Sequence, residues 1–320
     1  MTEKFNKQLF YNRCCTGDYK QVMAYLNQVT GGKRIAAKLK AIFEGDSYVL
    51  KSKNPEVLAL LRVYEDYYKW AIGNVATTEQ CMEHLFDKLS HLFPNAVKYD
   101  GDFEHMIKEY LEKRGYFALV GTTAPYPDLY LWKHQTIRKK AVEIPYGTVS
   151  VDACAMRGVI SKGWLEYLSL GKIGTAGWAT STGINYFAFD YPPFSPRFNS
   201  LLKHEAQHLH DLRHYPDIEQ ADMEYRAKLV ELIYYKNPMP FLSIKILGML
   251  GSEDGNDRST NPHGYANRRI AQELSRRLFH KDLEVNRELW KGQKNKISVI
   301  AKKLLDESTA GLVERAKSYS

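Results

Sequence analysis

The stretch LLKHEAQHLHDLRH, residues 201–214, holds four of the ten histidines of this 320-residue chain. His204 and His208 are four positions apart, so on an α-helix both imidazoles lie on one face and can reach the same metal ion. Glu205 follows the first histidine, where its carboxylate can hold a water molecule on that ion. This HExxH pattern predicts a metal site, and the alternative is a polar helix face rich in imidazole.

Signals independent of the motif place it on a helix. Ser-Pro at 195–196 is typical of an N-cap followed by the first helical residue. The apolar residues Leu202, Ala206 and Leu209 recur at helical spacing. We therefore predict a helix over 196–214 whose apolar stripe faces the core and leaves both motif histidines turned elsewhere.

A catalytic zinc site takes three protein ligands and leaves one position open for water. Two residues compete for the third place: His214, six positions after His208, and Glu224, sixteen positions after it. Glu224 falls on a second predicted helix, 217–236, which starts with a capping-box-like Asp and Gln. The break at HYPD, residues 214–217, gives the chain a turn that would bring this helix back antiparallel to the first.

Each alternative resembles a known family of zinc peptidases. The spacing HExxHxxDxxH is similar to the metzincin pattern HExxHxxGxxH, but Asp211 replaces the glycine that ends the helix there, and Met239 is a weak match to the methionine turn. HExxH followed by the ExxA run that begins at Glu224 resembles the gluzincins, the thermolysin-like peptidases, whose third ligand is a glutamate on a following helix. The resemblance extends over residues 184–235. We favour Glu224 on helix geometry and ligand type.

The gluzincin resemblance implies a zinc ion, Zn2+, held by His204, His208 and Glu224. Zinc lowers the pKa of a bound water molecule and polarises a carbonyl group. The resemblance further implies that Glu205 is the general base, which takes a proton from that water and later passes it to the leaving amine. The expected reaction is hydrolysis of a peptide bond in a peptide or protein substrate.

Two further features follow from the same resemblance. In gluzincins a tyrosine or histidine downstream of the ligands donates to the oxyanion of the intermediate, and NPHGYANRR supplies His263 and Tyr265 for this role. In zincins an edge strand before the HExxH helix binds extended substrate through backbone hydrogen bonds. Residues 174–192, GTAGWATSTGINYFAFDYP, lie in the corresponding place, and their glycines allow close backbone approach.

The remaining sequence indicates how these residues are positioned. Residues 1–115 carry apolar residues at helical spacing, residues 116–192 carry short β-branched and aromatic runs, and the chain from 195 onward is again helical. In the first part, TTEQ at 77–80 predicts a capping box, and in the last part a loop at 251–264 leads to helices predicted near 264–280 and 282–316. We predict an α+β fold, mainly helical, with a zincin-like core that contains a small mixed sheet and the HExxH helix. The expected division is an N-terminal helical region 1–115, a catalytic core 116–236 and a C-terminal helical region 237–320 that completes the cleft.

The composition and the distribution of apolar residues limit the classes of protein to which the chain can belong. An apolar fraction of 44% allows a sizeable core, and four cysteines without a CxxC pair indicate reduced thiols. The first twenty residues lack a continuous apolar segment. The most apolar later stretch, MPFLSIKILGMLG at 239–251, is too short for a membrane span and contains a lysine. We expect a cytoplasmic protein without a membrane span.

The net charge of +8 permits an interaction with nucleic acid without requiring one. Basic residues are spread along the chain and fit solvated helix faces, so we expect nucleic acid not to be the partner. A second hypothesis is a non-catalytic zincin-like sensor or binding module, with a nucleic-acid version that would bind through the basic helices. Glu205 argues against it, because a structural zinc site takes four protein ligands and has no use for a glutamate beside the first histidine.

Overall fold

Helices and a five-stranded sheet make up the computed structural model, which describes residues 3–45, 52–94, 100–123, 125–174, 177–179, 183–247, 258–259 and 261–318. The mixture is mainly helical and confirms the predicted α+β class. Within these ranges no helix is long and apolar enough to cross a membrane.

The chain forms two compact units, and each is built from two segments. The first unit contains Met1–Gln135 and Met156–Thr175, and the second contains Thr136–Ala155 and Ala176–Ser320. Neither unit begins or ends at residue 115 or 236, and the sequence-based division into three regions stays a prediction.

Some helices of the first unit begin at residues whose side chains cap them. Asn54 accepts hydrogen bonds from the first turn of α4, which has Pro55 at its first position, and Thr77 and Gln80 form the predicted capping box of α5. The helices are α1 (Lys7–Cys15), α2 (Tyr19–Gln28), α3 (Lys33–Phe43), α4 (Pro55–Ile72), α5 (Thr78–Leu92), α6 (Asp100–Glu112) and α7 (Trp164–Leu168).

The sheet has the strand order β1-β2-β3-β5-β4. Its strands are β1 (Phe117–Thr123), β2 (Tyr126–Ile144), β3 (Gly147–Lys162), β4 (Gly177–Ala179) and β5 (Gly183–Phe187). β1, β3 and β5 coincide with runs of β-branched and aromatic residues that predict strands. β4 pairs antiparallel with β5 and is the last strand on its side of the described sheet.

A buried aspartate organises polar contacts in the first unit. Asp128 is 2% exposed, and its Oδ1 accepts hydrogen bonds from the Tyr68 hydroxyl at 2.9 Å and from the Trp164 amide at 2.7 Å. Gly163 has a φ of +75°, and a Cβ at this position would lie 2.0 Å from the same oxygen, so position 163 requires glycine. Burial raises the pKa of Asp128 to about 7.

One helix is central to the second unit. α9 (Gln220–Tyr234) packs against α8 (Pro196–His214), α11 (Pro262–Phe279) and α13 (Lys294–Ser318). Because neighbours cover it on several sides, polar as well as apolar residues of α9 are buried. The other helices of this unit are α10 (Met239–Phe241), which leads into a π-helical turn at Leu242–Ile246, and α12 (Arg287–Lys291).

The C-terminal helices differ in part from the sequence prediction. A helix near 264–280 is confirmed as α11. The single helix predicted over 282–316 is wrong: the structure has α12 and α13, and Gly292 caps the C-terminal end of the first. The loop predicted at 251–264 lies largely outside the described residues.

Candidate metal centre

α8 carries the HExxH residues, and the predicted helix over 196–214 is confirmed. Ser195 is its N-cap, because its Oγ accepts a hydrogen bond from the Phe198 amide at 3.1 Å. The apolar stripe predicted for the core is buried in the second unit, at Leu202, Ala206 and Leu209. Packing on this side fixes the helix and leaves a different face to the motif histidines.

α9 brings Glu224 to these histidines. It begins at Gln220 with Glu219 as N-cap, whose side chain makes no capping hydrogen bond, so the predicted capping box starting at Asp217 is wrong. The chain turns just before, where the Ile218 amide donates to the Tyr215 carbonyl. This turn follows the break predicted at HYPD and lets α9 pack on α8.

His204, His208 and Glu224 form a group that could hold a metal ion, since one ligand atom from each lies within 4.8 Å of the others. The two histidine Nε2 atoms are 3.0 Å apart. Oε1 of Glu224 lies 3.2 Å from His208 Nε2, and its Oε2 lies 3.6 Å from His204 Nε2. All three side chains are largely buried. Three ligand atoms therefore face a common point inside the second unit.

Opposite charges surround the ligand atoms. Burial would lower the pKa of His204, but the carboxylates of Glu224 and Glu231 outweigh it and raise the pKa to about 10. Burial would raise the pKa of Glu224, but the charges of His263, Lys228 and His204 hold that pKa well below its ordinary value. A metal ion that binds His204 must therefore displace a proton from its imidazole.

Glu231 fixes the orientation of the His204 ring. Its Oε1 lies 2.8 Å from His204 Nδ1, and its second oxygen accepts a hydrogen bond from Ser200. A carboxylate on the far nitrogen of a ligand imidazole sets the ring orientation and strengthens the ligand. The sequence prediction missed Glu231. Its signal is the spacing, seven residues after Glu224, which is about two helical turns and places both on one face of α9.

Lys228 is a second residue that the sequence prediction missed. Its side chain is 9% exposed, and Nζ donates to Glu224 Oε2 at 2.7 Å. The same ammonium lies 3.2 Å from His263 Nδ1. The available signal is again spacing, because residues four apart on a helix are neighbours.

The two residues predicted for the oxyanion lie in the first turn of α11, and only one reaches the group. His263 Nδ1 is 2.7 Å from Glu224 Oε2, while 58% of the His263 side chain is exposed. The ring of Tyr265 instead faces the guanidinium of Arg258, 5.5 Å from the ring centroid. The roles of both residues stay predictions.

His214 and its neighbours lie apart from the group. His214 stacks on His210 with centroids 4.2 Å apart, and its Nδ1 is 2.8 Å from the His210 carbonyl oxygen. Asp211 is fully buried and forms an ion pair with Arg226, whose Nε is 2.9 Å from Oδ2. It is Glu224, not His214, that faces the two motif histidines.

No family model, curated protein or solved structure matches this chain. Function is therefore inferred from the geometry of the group.

Glu205 completes the set of predicted site residues. It follows His204 on α8 and is 6% exposed. Glu205 is adjacent to a candidate ligand in the chain, and its role as general base stays a prediction.

Proposed function

We propose that this chain is a zinc-dependent metallopeptidase of the gluzincin type, with His204, His208 and Glu224 as zinc ligands and Glu205 as general base. The observation that supports it most is the spacing of the ligand atoms. Two ligands bound to zinc at about 2.0–2.1 Å with tetrahedral angles are about 3.3 Å apart. The two histidine Nε2 atoms are 3.0 Å apart, and Glu224 has Oε1 3.2 Å from one of them and Oε2 3.6 Å from the other, so all three residues are close enough to bind one tetrahedral ion.

The types of ligand favour zinc and a catalytic site. Two imidazoles and one carboxylate are a ligand set of catalytic zinc, which keeps its fourth position open, whereas structural zinc sites have four protein ligands and often use cysteine. The cysteines Cys14, Cys15, Cys81 and Cys154 are free, and none belongs to the group. Zinc bound here would supply a water of lowered pKa and polarise a carbonyl oxygen.

The residues around the ligands have matching roles. Glu205 would take the proton of the attacking water and return it to the leaving amine. His263 has its Nδ1 on Glu224 and a ring that is mostly exposed, so its Nε2 can donate to an oxyanion beside the ligands. Tyr265 would need to turn from Arg258 to take that role.

The neighbouring strand supports an extended peptide as substrate. A Cβ on Gly177 of β4 would lie 3.2 Å from Leu201 Cδ2, so this strand packs directly on α8 about one turn before His204. β4 also ends the described sheet, and an extended peptide can add to such an edge through backbone hydrogen bonds. The helix, the sheet edge and the glutamate helix together make a zincin-like core.

The test begins with the metal content of the purified protein. We expect about one zinc per chain in the wild type, loss of zinc in Glu224→Ala and retention in His214→Ala. Zinc lost only in His214→Ala would overturn the ligand assignment. A wild type that binds no supplied zinc would contradict the metal site itself.

A library of quenched fluorescent peptides then tests the reaction. We expect the wild type to cleave members of the library and Glu205→Gln to bind zinc without cleaving them. Zinc binding without cleavage of any peptide by the wild type would favour the non-catalytic binding module. Salt-dependent binding of DNA or RNA would identify its nucleic-acid version.

A further inference from the structure

Lys228 is a buried ammonium that the proposed reaction does not use. Lysine is rarely buried unless it is paired, and the partner of this one is Glu224, 2.7 Å from Nζ. The counter-charge of Lys228 is therefore a residue assigned to the metal. Lys228 lies one turn after Glu224 on α9, so the helix itself holds the two side chains together.

Both oxygens of Glu224 lie near the ligand histidines, and Oε2, which is 3.6 Å from His204 Nε2, also contacts two other residues. Oε1 lies 3.2 Å from His208 Nε2, on the side of the ligand histidines. Oε2 lies 2.7 Å from Lys228 Nζ and 2.7 Å from His263 Nδ1. A metal ion and an ammonium would thus share one carboxylate, and with it a single negative charge.

We propose that Lys228 sets the affinity of the metal centre by competing with the metal ion for Glu224. Two cations on one carboxylate repel each other, and burial strengthens that repulsion because the local dielectric constant is low. Without a bound ion, the ammonium is one of the charged groups that offset the burial of the Glu224 carboxylate. The inference rests on the proposed metal site and adds to it a device that keeps metal binding reversible.

The measurement is the zinc dissociation constant, obtained by competition with a chromophoric chelator at one pH. Wild type is compared with Lys228→Met, which removes the charge and keeps an unbranched chain, and with Lys228→Arg, which keeps the charge. We expect Lys228→Met to bind zinc at least about tenfold more tightly than wild type, because the repulsion between the cations is removed. Lys228→Arg should stay within about threefold of wild type. Lys228→Gln keeps a hydrogen-bond donor without charge. It should also bind zinc more tightly than wild type, and it replaces Lys228→Met in the test if the methionine variant does not fold.

The outcomes separate this inference from the proposed function. If wild type binds zinc and the folded uncharged variants bind it equally or more weakly, Lys228 only positions Glu224 and the inference is wrong. If wild type binds no zinc, the metal site and the inference fail together. Tighter binding in Lys228→Met and Lys228→Gln, with Lys228→Arg near wild type, supports both.

Discussion

Asp128 in the first unit and Glu224 in the second are both buried carboxylates, yet their surroundings are opposite. Asp128 accepts hydrogen bonds from a tyrosine hydroxyl and a backbone amide, both neutral, and burial raises its pKa to about 7. Burial would raise the pKa of Glu224, but the charges of His263, Lys228 and His204 hold it well below the ordinary value. Both are nearly inaccessible to solvent.

The difference distinguishes a structural carboxylate from the proposed metal ligand. Neutral donors favour the carboxylate form of Asp128, but they also bind the carbonyl oxygen of the protonated acid, so the fold of the first unit does not need its charge. The surroundings of Glu224 favour a negative charge, because the charges of His263, Lys228 and His204 converge on it. Convergence of that kind is also what a metal ion needs, and charge-altering substitutions should therefore act differently in the two places.

The largest effect is expected at the general base. Glu205→Gln should lower the rate of peptide hydrolysis by about 10²- to 10⁴-fold, the usual contribution of acid–base catalysis, while zinc stays bound. The measurement is kcat/KM on a peptide from the library, with zinc content measured on the same sample. His210→Gln, a change on α8 outside the metal group, is the matched control and should retain activity. Activity near the wild-type value in Glu205→Gln would contradict the assigned role.

Asp128→Asn tests the buried carboxylate that is held by neutral donors. A buried acid with a raised pKa binds its proton more tightly in the folded state, so its contribution to stability falls as pH rises from about 4 to 7 and is constant above that. At about 1.4 kcal/mol per pKa unit, the charged form costs the wild type about 4 kcal/mol above pH 7. The asparagine side chain still accepts from Tyr68 and Trp164 and has no such cost.

The free energy of unfolding is therefore measured for both proteins at pH 4 and pH 8. From pH 4 to pH 8, the free energy of unfolding of the variant should rise by about 4 kcal/mol relative to that of the wild type. Equal pH dependence in the two proteins would mean that Asp128 is charged in the fold and that the comparison is wrong on this side.

Glu231→Gln tests the charged surroundings of the metal group. The amide keeps the size of the side chain but loses the charge that orients His204 through Nδ1, so the zinc dissociation constant should rise about 10- to 100-fold. Chelator competition measures it. Glu219→Gln, on the exposed N-cap of the same helix, is the control and should leave zinc affinity unchanged. An unchanged affinity in Glu231→Gln would remove Glu231 from the metal centre.

The smallest effect is expected at the capping box of α5. Thr77→Ala removes the acceptor for the Gln80 amide and should lower the free energy of unfolding by about 1 kcal/mol. Denaturant titration measures it. Zinc binding belongs to the other unit and should stay at its wild-type value. A change in zinc affinity would mean that the stability of the first unit affects the metal group in the second.

Local signals explain what the sequence could predict. Ser195 and the proline after it define the start of α8, and HExxH on that helix defines two ligands without knowledge of the packing. Glu224 needed a further assumption, that the second helix returns along the first. These features depend on neighbours in the chain or on a single turn.

Glu231, Lys228 and the course of β2 could not be found in this way. α9 packs against three helices, so its buried residues follow no single stripe, and spacing from Glu224 becomes a signal only once Glu224 is known to face α8. β2 runs from Tyr126 to Ile144, and its middle residues are exposed or half-buried on both faces, which removes the alternation typical of strands. Tertiary packing decides both cases.

The sharing of the metal centre among α8, α9 and α11 has a consequence for the lifetime of the folded state. The group exists only once these helices have docked, so the unfolded chain offers no comparable site. Zinc would then bind mainly after the transition state of folding. It should slow the unfolding of the second unit severalfold or more and change its folding rate little. Loss of zinc would accordingly shorten the lifetime of the folded protein as well as end the proposed activity.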